Sequence, residues 1–222
     1  MSIADNLNAI RATLPPHVKL VCVSKFHPND SILEAYEAGE KIFGESKVQE
    51  VCQKQDTLPK DIVWHFIGHL QTNKVKHLVP FVTLIHGVDS LRLLEEINKQ
   101  AANAGRTVDY LLQVHIAREE TKFGFSPEEL TDAMDAGILQ QFASVRIRGL
   151  MGMATFTENE TQIRAEFRSL KTLFDQIQTT YFNDQPLFDT LSMGMSDDYR
   201  IAIEEGSTMV RIGSSIFGAR QY

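Results

Sequence analysis

Residues 190–213 read TLSMGMSDDYRIAIEEGSTMVRIG: a short apolar run, a helical stretch, and a second short apolar run. Gly and Ser bound both runs, which are short enough for strands, and the segment between them leaves room for one crossover helix starting near Asp197. Two strands joined through such a crossover lie parallel in one sheet. The same unit repeats upstream. Strands are predicted for HVKLVCVSK (17–25), KIFGE (41–45), IVWHFIG (62–68), LIHGV (84–88), VDYLLQVHI (108–116) and VRIRGLMGMA (145–154), ahead of TLSMGM (190–195) and MVRIG (209–213). Helical patterns separate them. Residues 31–38 end at Gly39 and 91–104 end at Gly105, while 126–136 open on Ser126 and Pro127, a cap followed by a residue suited to the first turn. Residues 159–180 place Ile163, Phe167, Leu170, Phe174 and Ile177 at helical spacing. An extra amphipathic helix is predicted over residues 3–13.

Eight strands alternating with helices predict a single (β/α)8 TIM barrel. That fold takes at least about 200 residues, which the 222 residues supply with short loops and little left over. The rival at this stage is a doubly wound open sheet. No linker, repeat or low-complexity stretch divides the chain, so residues 1–222 are expected to form one α/β domain.

Composition narrows the function classes. Hydrophobic residues make up 43% and charged residues 23%, which excludes disordered, collagen-like and coiled-coil readings. The formal net charge of −7 and a pI near 5.5 argue against a dedicated nucleic-acid binder, whose surface needs clustered cations to displace counterions. Cys22 and Cys52 show no metal-ligand spacing. No basic stretch followed by an apolar one opens the chain, and no run of about 18 apolar residues occurs, so a soluble cytoplasmic protein with no membrane contact is expected.

A barrel carries its site at the carboxyl ends of its strands, and here those ends are polar. Lys25 closes the first predicted strand with the parity of Val21 and Val23. If that face is the lumen, desolvation makes its amine a nucleophile toward aldehydes, whereas the plainer reading is a lysine reaching into water. The small residues around Met195 and Ser196, and around Gly213 and Ser214, fall in the loops after strands seven and eight, where barrels habitually hold phosphate, although the same residues also simply make tight turns. Arg211 shares parity with Met209 and Gly213 and is expected to point into the lumen. A buried arginine requires an acceptor, either a barrel carboxylate such as Glu45 or the ring nitrogen of a ligand. His65, His69, His86 and His115 leave a barrel metal site, and a metal-dependent hydrolase, as a rival. Gly213 and Gly218 have phosphate-loop spacing, but Ala219 and Arg220 stand where Lys and Ser or Thr are required. Trp64 and the methionines read as core, and Glu119–Glu120 as a solvated face.

Taken together, VSKFHP (23–28), FGESKVQE (43–50), WHFIGHLQTNK (64–74), GVDS (87–90), LLQVHIAREETKFGF (111–125), RGLMGMA (148–154) and LSMGMSDDYRIAIEEGSTMVRIGSSIFGAR (191–220) resemble the pyridoxal phosphate homeostasis proteins, relatives of the alanine racemase barrel. The resemblance implies a monomeric barrel that binds pyridoxal 5′-phosphate as an internal aldimine on Lys25. It further implies phosphate ligands at Ser196, Gly213 and Ser214, and Arg211 facing the pyridine nitrogen. Ser46 and Met195 complete the cofactor-binding set. Ser46, His69 and His115 stand where the family usually has Asn, Pro and Asn. The implied role is vitamin B6 homeostasis without catalytic turnover, with apo pyridoxal-phosphate enzymes as recipients of the cofactor. A small pyridoxal-phosphate-dependent amino-acid racemase is the alternative.

Overall fold

The computed structural model describes residues 2–118 and 123–218, so the acidic pair at 119–120 and the residues at 219–220 discussed above lie outside the described residues. Eight strands are present: β1 (Lys19–Val23), β2 (Ile42–Glu45), β3 (Val63–Phe66), β4 (Leu84–Val88), β5 (Val108–Gln113), β6 (Val145–Met151), β7 (Thr190–Ser192) and β8 (Met209–Ile212). They pair in parallel in sequence order, and β1 pairs with β8 to close the barrel, which rules out the open sheet.

The helices described around it are α1 (Ile3–Arg11), α2 (Asn29–Glu37), α3 (Val48–Thr57), α4 (Val75–Leu78), α5 (Leu91–Asn103), α6 (Pro127–Asp135), α7 (Glu160–Tyr181), α8 (Tyr199–Glu204) and α9 (Ser214–Phe217). Local chemistry sets several of their starts. Ser2 and Asp5 exchange hydrogen bonds with each other's backbone at the head of α1, and Ser126 and Glu129 do the same at α6, where Pro127 takes the first position. Among the described residues, no helix is long and apolar enough to cross a membrane. Cys22 and Cys52 are free thiols.

Period-two alternation divides the apolar side chains into two layers. Val21, Leu84, Leu111, Met151 and Met209 pack together inside the lumen. Cys22, Phe43, Trp64, Ile85, Tyr110 and Ile212 face outward into the larger layer that the helices cover. Each fully buried Leu, Ile or Phe of that layer contributes roughly 1.5–3 kcal/mol relative to exposure.

The strands stop earlier than the alternation predicts. β1 ends at Val23 rather than Lys25, β7 at Ser192 rather than Met195, β5 at Gln113, and β6 at Met151. Sequence alternation continues past the last ladder hydrogen bond because the chain still runs outward before turning. Those extra residues form the loops of the mouth.

Candidate functional site

Arg211 lies opposite Val21 in the β1–β8 register and shares its lumen-facing parity. Its Nη1 donates to the Ser192 carbonyl at 2.9 Å and to Ser192 Oγ at 2.6 Å, and its Nη2 donates to the Gly152 carbonyl at 3.2 Å. Glu45, one of the two kinds of acceptor considered for Arg211, is not its partner. Glu45 has outward parity on β2, where Ser24 Oγ donates to it at 2.6 Å and Lys54 Nζ pairs with it at 2.7 Å. Among the described residues, no carboxylate forms an ion pair with Arg211. Burial pulls its guanidinium down to about 10, against the attraction of Asp198, so it stays charged at neutral pH.

The acceptors of Arg211 belong to a chain that runs down the lumen. Ser192 Oγ lies 3.0 Å from His86 Nδ1, and His86 Nε2 lies 3.1 Å from His65 Nδ1. A guanidinium only donates, so Ser192 Oγ accepts from Arg211, and its second lone pair and its own proton let it pair with either tautomer of His86 at Nδ1. One proton lies between His86 Nε2 and His65 Nδ1, and the tautomer sets which nitrogen donates it. Burial holds both imidazoles neutral: His65 is pushed down to about 3, and His86 falls well below its ordinary value, with His65 and Arg211 adding to the effect.

The β7 and β8 loops meet above this chain. Gly194 has φ 96°, and a Cβ there would lie 2.6 Å from Ala202 Cβ, so only glycine allows the turn out of β7. The turn is fastened by Met195 N–H donating to Asp198 Oδ1 at 2.6 Å and by Tyr199 N–H donating to the Met195 carbonyl at 2.9 Å. Burial raises the Asp198 carboxyl, with the Met195 N–H and Arg211 opposing it. Gly213 N–H donates to Ser196 Oγ at 3.3 Å, tying the two loops together and leaving the Ser196 hydroxyl proton for another acceptor. A Cβ at Gly213 would lie 3.0 Å from the Val23 carbonyl, so glycine lets the end of β8 pack closely against the end of β1.

Lys25 sits in the turn after β1. Ser46 follows β2, and its backbone packs so closely that a Cβ at Gly68 would lie 2.4 Å from the Ser46 carbonyl. Lys25, Ser46, Met195, Ser196, Arg211, Gly213 and Ser214, the full sequence-predicted set, line one cavity of about 310 Å³ at the carboxyl ends of the strands. Sequence reasoning missed Met153 and Phe156, which complete the wall after β6. Their signal was available, since both follow a strand end. Reading the methionines as core fails for Met195, which is 37% exposed at the rim, as is Phe156 at 89%. A separate cavity of about 360 Å³ lies against Tyr110, Val145 and Ile147 on the outer face of β5 and β6, away from the carboxyl ends of the strands.

The histidines do not converge on a metal. Among the described residues, no group of three His, Cys, Asp or Glu is placed to hold one. His65 and His86 bond to each other in the lumen. His69 instead stands at the rim, with Nδ1 2.9 Å from Asp89 Oδ2 and its ring stacked on Phe123 at 4.0 Å. His115 donates its backbone N–H to the Phe125 carbonyl at 2.9 Å, where the chain leaves β5.

This arrangement brings a primary amine, the hydroxyls of Ser196 and Ser214, and a buried cation to one cavity. Comparison with known proteins agrees with that chemistry. The family described as "Alanine racemase, N-terminal domain" matches residues 1–221. The chain is 43% identical over 205 residues to the pyridoxal phosphate homeostasis protein of Aquifex aeolicus, covering 92% of this chain and 88% of that one. Among solved structures, PipY of Synechococcus elongatus with PLP bound superposes with a TM-score of 0.87 at 37% identity, covering 98% of this chain and 100% of that one. An alanine racemase from E. faecalis superposes with a TM-score of 0.73 at 16% identity, covering 98% of this chain and 57% of that one, a likeness of fold alone.

Proposed function

The chain belongs to the pyridoxal phosphate homeostasis proteins and carries the alanine racemase N-terminal domain, and on that premise we propose that Lys25 holds pyridoxal 5′-phosphate covalently at the barrel mouth. On this reading Ser196, Gly213 and Ser214 take the phosphate, Arg211 donates to the ring nitrogen, and Ser46 and Met195 flank the ring. The convergence of all these side chains on one cavity carries the proposal. Its volume, about 310 Å³, suits a one-ring ligand.

The bound cofactor supplies an aldehyde carbon for linkage to an amine and a ring that withdraws electrons from it. The protein's own residues direct that chemistry toward holding. Arg211 is charged at working pH and offers no acceptor, so it withholds the pyridinium proton that carbanion chemistry draws on. Ser192, His86 and His65 are neutral, so they add no counter-charge beneath it. The protein therefore acts in vitamin B6 homeostasis as a cytoplasmic monomer that stores the cofactor and releases it to apo-enzymes, rather than as a catalyst.

Borohydride treatment followed by peptide mapping tests the site. The expected result is one reduced adduct, on Lys25, that disappears in Lys25→Ala; an adduct on another lysine with none on Lys25 overturns it. Amino acids incubated with the protein in deuterium oxide should exchange their α-protons only at background rates. Exchange that depends on Lys25 would make the protein a racemase-like enzyme instead.

A further inference from the structure

Lys25 stands in a turn that the chain does not adopt on local grounds. Phe26, its neighbour, has φ 66°, the single positive φ on a non-glycine among the described residues. That region is disfavoured for a side chain with a Cβ, and for a bulky aromatic above all, so surrounding contacts must impose it.

Those contacts come from one buried cluster on the outer side of the barrel. Lys54 of α3 donates to the Ser24 carbonyl at 2.9 Å and pairs with Glu45 and Glu50 at 2.7 Å each. Ser24 Oγ donates to Glu45 at 2.6 Å, and Phe26 N–H donates to Glu50 Oε1 at 2.6 Å. The residues immediately before and after Lys25 are thus each tied to the same ionic group. Lys47 adds a cation 4.5 Å above the Phe26 ring.

A buried ion cluster is a poor stabiliser, because desolvation of the charges offsets their attraction and apolar replacements often serve stability as well. Lys54 and Glu45 have side chains only 7% and 0% exposed, and Glu45 Oε2 is buried with no hydrogen-bond partner. The cost of such a cluster fits a role in geometry. We propose that Lys54, Glu45 and Glu50 are positioning residues: they clamp the strained 24–26 turn so that the Lys25 amine is held at the cavity ready for an aldehyde. The proposal rests on the assignment of Lys25 above.

The test compares two ligands that share a ring and phosphate but differ at the reacting carbon. Pyridoxal phosphate has the aldehyde that Lys25 captures, and pyridoxine phosphate has an alcohol that it cannot. In Glu50→Ala, pyridoxal phosphate affinity should fall at least tenfold while pyridoxine phosphate changes less than twofold. Glu50→Gln keeps an acceptor for Phe26 N–H and should recover aldehyde affinity to within about threefold of the unaltered protein. If Glu50→Ala does not fold, Ser24→Ala, which removes the hydroxyl tie to Glu45 on the other side of Lys25 and keeps the backbone tie from Lys54, carries the same comparison. Equal loss of both ligands, or loss of neither, overturns the positioning role. If the unaltered protein forms no reducible linkage at Lys25, the functional reading fails and the clamp with it, a result separable from a clamp failure with the linkage intact.

Discussion

The two ends of the barrel lumen use arginine in opposite ways. At the amino-terminal end, Arg148 bonds Asp109 at 2.9 Å and Asp189 at 3.0 Å, and Arg146 bonds the other oxygen of Asp109 at 2.7 Å. Burial pulls the Arg148 guanidinium down, but those carboxylates more than reverse it and its net shift is upward. At the mouth, Arg211 meets two carbonyls and a hydroxyl but no carboxylate, and burial wins. Charge matched by counter-charge closes the base of the barrel. At the mouth the charge is met by neutral acceptors alone among the described residues, with Asp198 attracting it without an ion pair.

The largest effect should come from the mouth loops, where the hydroxyls complement that cation. Removing both with Ser196→Ala and Ser214→Ala should weaken pyridoxal phosphate on the order of a hundredfold or more, since hydrogen bonds to a charged group contribute roughly 1.5–3 kcal/mol each. Unphosphorylated pyridoxal should scarcely change in an equilibrium titration. Equal weakening of both would make the mouth as structural as the base.

Between the two ends lie the neutral histidines, and they predict how stability depends on pH. Their folded pKa values are below the ordinary 6.5, so as pH falls through 6.5 the unfolded chain takes up protons that the folded chain refuses. Stability is full above about 6.5 and declines below it, by up to about 1.4 kcal/mol per pH unit for each histidine. Urea unfolding at pH 6.5 and pH 5 should show this loss, and His86→Gln should flatten it. Nitrogen-15 spectra of the folded protein should find both rings neutral and unchanged down to pH 5.

The smallest effect is the most direct comparison of the two arginines. Arg148→Met strands the mostly buried Asp109 with one partner fewer and should cost about 2 kcal/mol of stability, less than a fully buried pair because both side chains retain some exposure. Cofactor binding should be untouched. Arg211→Met removes an unmatched buried charge and should change apo-protein stability by no more than about 1 kcal/mol, while weakening the cofactor. Thermal melts and a binding titration on both variants would show whether the division holds.

Much of this was legible in the sequence. The eight short runs gave eight strands because period-two burial fixes which residues leave water, and the lumen parity of Val21 and Arg211 followed from the same rule. Glu45 shows the rule misapplied: Ile42 and Gly44 take the inward positions of KIFGE, so Glu45 had to face α3 and never could meet Arg211. The lumen chain was not legible. His86 and Ser192 are separated by 106 positions, and whether they touch depends on stagger around a closed barrel, which no local pattern encodes. The Lys54 cluster escaped notice for a similar reason, since a lysine on a helix reads as solvent-facing until the packing of α3 against β2 is known.

The sole tryptophan, Trp64, is 1% exposed in the dry layer outside β3, and its indole N–H meets no acceptor. An indole without polar neighbours emits toward the blue, and one sealed from solvent is shielded from iodide or acrylamide. Trp64 sits back to back with His65, the last ring of the lumen chain, so the protein holds one built-in optical reporter a strand's thickness from the lumen. Its colour and its quenching should distinguish a barrel that has merely lost its ligand from one that has come apart.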